Sequence, residues 1–167
     1  MLVNNAGVQR NHDWIATPTA DRVSALESEI AVNLTSPLAL TALFLDDLVA
    51  ADEAAIVNLS SLLALTPKRS APVYCATKAG IRAFGRGLAY QLESHPNLRV
   101  VEVVPPLVDT GMTAGRGSGK ISPAEAANEI VRGLERDQTE ILVGKARLVT
   151  RLHRWLPGLV ARMLKDG

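Results

Sequence analysis

Apolar residues in this chain fall alternately into short dense runs and longer stretches spaced at three and four. Met1-Leu2-Val3 reads as the end of a buried strand leading into Asn4-Asn5-Ala6-Gly7. Ala54-Ala55-Ile56-Val57-Asn58-Leu59 and Arg99-Val100-Val101-Glu102-Val103-Val104 have the length and β-branched content of buried strands, and Glu140-Ile141-Leu142-Val143-Gly144 reads as a last short one. Between them Val23, Leu26, Ile30, Val32 and Leu34 mark one face of a helix that starts at Thr19-Ala20-Asp21. Pro37 interrupts that pattern, which predicts a kink or local irregularity before the helix resumes over 38–49. A second long helix is predicted over 73–94. Its Gly80, Gly85 and Gly87 lower helix propensity, so close packing against another backbone is expected there. Ser122-Pro123-Ala124-Glu125 is a capping box with proline at the first helical position, opening a helix to about Arg136. Residues 8–19, 62–72 and 105–120 read as loops, the last rich in glycine and threonine and expected to be mobile. Strand and helix alternate throughout without an internal repeat, so the prediction is an α/β fold with a parallel sheet and right-handed crossovers.

Composition narrows the picture only a little. A chain of 167 residues with 18 Lys and Arg against 17 Asp and Glu can build one domain with a real core, and gives no sign of a nucleic-acid partner. The start lacks the layout of a signal peptide, and no uninterrupted apolar stretch reaches about 18 residues. A soluble, cytoplasmic protein is expected. Cys75, the single cysteine, is expected to be a small packed residue; His12, His95 and His153 lie too far apart in sequence to suggest a metal site.

Chemistry enters at Tyr74 and Lys78. Four residues apart on a helix, they project from the same face one turn apart. An ammonium beside a phenol favours the phenolate, so the pair predicts a tyrosine pKa lowered from about 10. Reaching neutrality needs about 3 units, roughly 4 kcal/mol of differential stabilisation, and would fit the phenol for general acid–base work. A Y-x-x-x-K match alone is weak, because both residues are common on helices. The neighbouring signals are what give it weight: Ser61 stands 13 positions before Tyr74, just past the apolar run, and Asn33 lies in the earlier apolar helix.

Asn4-Asn5-Ala6-Gly7, Asn33, Ser61 and the Tyr74/Lys78 pair, in that order, resemble the classical short-chain dehydrogenases/reductases over nearly the whole chain. The resemblance implies the C-terminal part of a Rossmann-type doubly wound parallel sheet, from its fourth strand onward. It implies hydride transfer between NAD or NADP, which the sequence does not distinguish, and an alcohol or carbonyl substrate. Tyr74 would exchange the hydroxyl proton, and Lys78 would lower its pKa and hold the cofactor ribose. Ser61, rather than Ser60, would hydrogen-bond the substrate oxygen, and Asn33 would support a relay water through its backbone carbonyl. Asn5, Ala6 and Gly7 would pack on the adenosine side of the cofactor. The stretch Pro105-Pro106-Leu107-Val108-Asp109-Thr110 stands where the family has Pro-Gly-x-Val-x-Thr and resembles its DltE-like branch. Pro105, Val108 and Thr110 would adjoin the nicotinamide carboxamide, with Pro106 removing a backbone N–H. The two long helices form the family's usual dimer interface, so a homo-oligomer is implied.

Two further stretches bear on this reading. Thr110-Gly111 through Gly115-Arg116-Gly117 spells the family's T-G-x-x-x-G-x-G phosphate fingerprint, but a new helix cap follows it and it comes after the catalytic residues. A substrate-side loop is expected instead. Residues 145–167 form a basic amphipathic tail beyond a catalytic domain of residues 1–144. Such a tail can lie on anionic membrane, though covering the protein's own cleft or dimer surface is the commoner use. No strand and glycine loop precede Asn4, and Met1 falls in mid-strand. A fragment of a full enzyme is therefore expected, with a short non-catalytic paralogue that binds a partner through its long helices, or a second chain supplying the missing half, as the alternatives.

Overall fold

In the computed structural model, which describes residues 1–166, the four apolar runs pair as one parallel sheet in the order β1-β2-β3-β4. The strands are β1 (Leu2–Asn4), β2 (Ala54–Leu59), β3 (Leu98–Val104) and β4 (Glu140–Leu142). Register sets Val3 against Val57 and Val57 against Val101, so the carboxyl ends of β1, β2 and β3 finish on one edge. Side-chain alternation along β2 divides the core. Ala55 and Val57 pack with Val101, Val103, Ile141 and Ala126 on one face, while Ala54 and Ile56 pack with Leu48, Leu88 and Leu92 on the other. Helix α4 (Pro123–Leu134) covers the first face, and α2 (Ser36–Ala50) with α3 (Pro72–Gln91) covers the second. Helices on both faces of a parallel sheet are the doubly wound α/β arrangement.

The expected irregularity at Pro37 is a π turn at Ala31–Thr35, which joins α1 (Thr19–Ile30) to α2. Pro37 has no N–H to offer the carbonyl of Asn33 four residues back, and the ladder shifts to a wider ring in which Ser36 N–H meets Ala31 O. The whole run, Thr19–Ala50, is long and apolar enough by composition to cross a membrane, yet it packs on the sheet and on α3. Asn4, buried at the end of β1, ties this helix to the sheet through Asn58 Oδ1 at 2.8 Å and Thr41 Oγ1 at 3.4 Å.

The glycines of α3 make close approaches, but to side chains rather than to another backbone. A Cβ on Gly80 would stand 3.1 Å from Leu34, one on Gly85 would stand 3.1 Å from Asn58 Nδ2, and Gly87 faces open space. The capping box at Ser122 forms in full, Ser122 Oγ accepting from Glu125 N–H and Glu125 accepting from Ser122 N–H. The tail makes two helices, α5 (Ala146–Trp155) and α6 (Pro157–Leu164), broken at Pro157. It folds back on the chain: Val160 is buried, and Lys165 O accepts from Arg69 N–H beside the Arg69–Asp166 ion pair.

Candidate active site

At the carboxyl ends of β1, β2 and β3 lies a cavity of about 560 Å³, the place where open α/β sheets take ligands. Ser61, Tyr74 and Lys78 all line it. Ser61 arrives directly off β2 in extended conformation and caps the short 3-10 turn Leu62–Ala64, its Oγ accepting from Leu63 N–H at 3.1 Å. Tyr74 and Lys78 sit on the first turns of α3. The Lys78 ammonium stands 5.6 Å from the centre of the Tyr74 ring and donates to Leu59 O at 2.6 Å.

Protonation in this pocket differs from the expectation for a lysine–tyrosine pair. Burial raises the Tyr74 pKa above 10, and the charges of Cys75 and Glu29 push the same way. Ser61 beside the phenol pulls it back most, and the positive charge of Arg116 pulls in the same sense. Burial also moves Lys78 down, from 10.5 to about 8. Burial is the leading cause for both groups, and the ammonium faces the ring and a main-chain carbonyl rather than water. The phenol of this chain therefore stays protonated at neutral pH.

Asn33 does not line the cavity but stands directly behind it. Its side chain clamps Val8 from both sides, Oδ1 accepting from Val8 N–H and Nδ2 donating to Val8 O, each at 2.8 Å, and Nδ2 also reaches Thr77 Oγ1 at 3.2 Å. The π turn leaves the Asn33 carbonyl without its ordinary helical donor. Gly7 fits between the two: a Cβ there would stand 3.4 Å from Asn33 Oδ1 and 3.6 Å from Lys78 Nζ. Of the other sequence-predicted residues, Asn5, Pro105, Val108 and Thr110 line the cavity, and Ala6 does not.

The loop after β3 is held by its own bonds. Thr113 Oγ1 donates to Val108 O at 2.6 Å, Thr110 and Thr113 cap one another, and Val108 bridges to Ile121. Its glycines need no phosphate to account for them. Gly115, Gly117 and Gly119 have φ of +71°, +54° and +67°, the left-handed region where side chains are strained.

Sequence reasoning missed the pairing of His12 with Glu29 and the place of Arg116. His12 and Glu29 form a buried pair, Nε2 to Oε2 at 2.7 Å, under the loop that Asn33 clamps, which gives His12 a packing role. Glu29, spaced three from Leu26 and four from Asn33 on the apolar face, carried a signal that could have shown it. Arg116 lines the cavity, hidden in sequence by its glycine-rich surroundings. Leu164 of α6 lines it too, so the tail reaches the protein's own cleft, the commoner of the two uses expected of it. Cys75 is buried as expected, its sulfur accepting from Lys68 N–H at 3.3 Å and its pKa raised by burial.

Known proteins share this arrangement. The short chain dehydrogenase family model matches residues 1–120. The oxidoreductase DltE of Bacillus subtilis is 37% identical over 147 residues, 84% of this chain and 57% of DltE. L-xylulose reductase of Caenorhabditis elegans is 38% identical over 114 residues, 66% of this chain and 43% of that protein. The chain thus spans about half the length of these relatives. Among solved structures, a short chain dehydrogenase from Burkholderia cenocepacia in complex with NADP superposes with a TM-score of 0.86 at 28% identity, covering 99% of this chain and 68% of that one.

Proposed function

This chain belongs to the short chain dehydrogenase family, and from that premise we propose that it works in an NAD(P)-dependent oxidoreductase, carrying the proton-transfer site for an alcohol or carbonyl substrate. The observation that carries the reading is the meeting of Ser61, Tyr74 and Lys78 on one cavity, with Asn33 behind Gly7. Ser61 would hold the carbonyl oxygen by a hydrogen bond, and the protonated Tyr74 would give that oxygen its proton as hydride arrives at carbon. Lys78 spends one ammonium N–H on Leu59 O, and its other two are free for ribose hydroxyls and for proton resupply.

A nicotinamide cofactor fits these residues. The missing side chain at Gly7 keeps open the space before Lys78 Nζ and Asn33 Oδ1, and Asn5, Pro105, Val108 and Thr110 stand along the same wall. Bound there, the cofactor supplies the hydride. The NADP of the Burkholderia cenocepacia structure supports NADP as one candidate beside NAD. We further infer self-association through α2 and α3, supported by exposed Leu40, Leu43 and Phe44 on one face of α2 and by Tyr90 on α3.

The test is cofactor-dependent reduction of an aldehyde and ketone panel, followed by loss of NADH or NADPH absorbance. Tyr74→Phe should lower kcat by about 10²- to 10⁴-fold while leaving cofactor affinity nearly unchanged. Turnover retained in that variant would remove Tyr74 from the role.

A further inference from the structure

The cavity holds a cation that the proton-transfer chemistry does not use. Lys68, Lys78 and Arg116 line it, and no aspartate or glutamate does. Lys78 is engaged by Leu59 O and the Tyr74 ring, whereas Arg116 is nearly unengaged. One terminal guanidinium nitrogen makes only a long contact, 3.5 Å, to Gln9 O. The other is shielded from solvent and has no hydrogen-bond partner, and among the described residues no carboxylate lies within 4.0 Å of Arg116. A buried charged donor without a partner is costly, and a structure that keeps one needs an account of it.

Arg116 is also held in place. Its backbone N–H donates to Thr113 O at 3.0 Å, and Gly117 behind it takes φ +54° where a Cβ would stand 2.6 Å from Leu107. The side chain therefore rests on a fixed turn. It shares the cavity with Leu62, Leu63, Met112, Ile130 and Leu164, which are hydrocarbon walls. Tyr74 lines the same cavity, so a molecule held on Arg116 shares that space with the phenol.

We propose that Arg116 is the anchor for a substrate carboxylate, and that the substrate is an apolar carbonyl or alcohol compound bearing that carboxylate at a distance from its reacting carbon. The assignment rests on the oxidoreductase reading above for the reacting end only. A guanidinium presents parallel N–H groups that match the two oxygens of a carboxylate, and the low-dielectric walls strengthen the pairing. Phosphate of a bound cofactor has related chemistry, and the measurement separates the two.

Octanoate and octanamide share one hydrocarbon chain and differ in charge at the head. Calorimetric titration of the protein should show octanoate binding about tenfold or more tighter than octanamide. Arg116→Gln should bring octanoate down to the octanamide level and leave octanamide unchanged, and Arg116→Lys should restore only part of the preference. Equal affinities in the unmodified protein, binding of neither compound, or a preference that survives Arg116→Gln would overturn the proposal. So would loss of inorganic pyrophosphate binding in Arg116→Gln without any carboxylate preference, which would give Arg116 to the cofactor. Neither nicotinamide nor turnover enters these titrations, so they stand apart from the Tyr74→Phe result.

Discussion

Lys78 shows how one residue's surroundings set its charge. Its folded-state value of about 8 lies below the ordinary 10.5, so between those values the unfolded chain binds more protons and stability should rise with pH. The gap corresponds to roughly 3 kcal/mol by pH 10.5. Tyr74 and Cys75, both raised by burial, act in the opposite sense, because the unfolded chain loses their protons first. Comparison with Lys78→Met isolates the lysine. The stability of the native protein relative to this variant, from urea unfolding, should increase by up to about 3 kcal/mol between pH 7 and 10.5. A pH-independent difference would show that Lys78 titrates normally. Ser61 joined Tyr74 and Lys78 only through the family resemblance, whereas the pairing of those two was legible from spacing. The direction of the Tyr74 shift was not, because it depends on how much water the tertiary structure leaves around the phenol. Arg116 was hidden for a related reason: what marks it is a missing partner, and sequence spacing carries no record of that.

At the scale of elements, the π turn links a backbone irregularity to the cavity floor. Pro37 announced it in sequence, since a proline in mid-helix must leave a carbonyl unserved. What the sequence could not show was that the shifted turn aims Asn33 at the main chain of Val8, because that contact joins residues 25 apart. Removing the amide leaves both polar groups of Val8 without their partner in a half-buried site. Asn33→Ala should therefore cost about 1–3 kcal/mol. Val8 N–H should also exchange with solvent much faster than in the native protein, while amides in β2 and β3 change only with global stability. Unchanged protection at Val8 would mean that the loop is held by something other than Asn33. The tail's return to the protein's own cleft was the commoner use expected of its pattern, but that Leu164 is the residue that walls the cavity was not readable, since an amphipathic pattern does not name the surface it covers.

For the whole molecule, helices cover much of both sheet faces, and exposed apolar side chains remain on α2 as well as on the tail helices. Leu40, Leu43 and Phe44 lie at spacings of three and four along one stripe, exposed by 40%, 75% and 47%, while the adjoining face of the same helix is buried at Pro37, Thr41 and Leu48. The apolar surface of α2 is thus wider than the face its own chain covers, and an exposed apolar stripe of this kind suits an interface. Asp46 and Asp47 follow the stripe but do not interrupt it, so the surface suits a like surface related by a two-fold axis. Leu43→Glu places a charge at its most exposed point, far from Leu48 and the core. Sedimentation velocity should show the native protein as a dimer or larger at micromolar concentration and Leu43→Glu shifted toward monomer. The variant's chain should still fold, because Leu43 is 75% exposed in its own protomer. A native protein that sediments as monomer, or a variant that sediments like it as a dimer, would remove α2 from the interface.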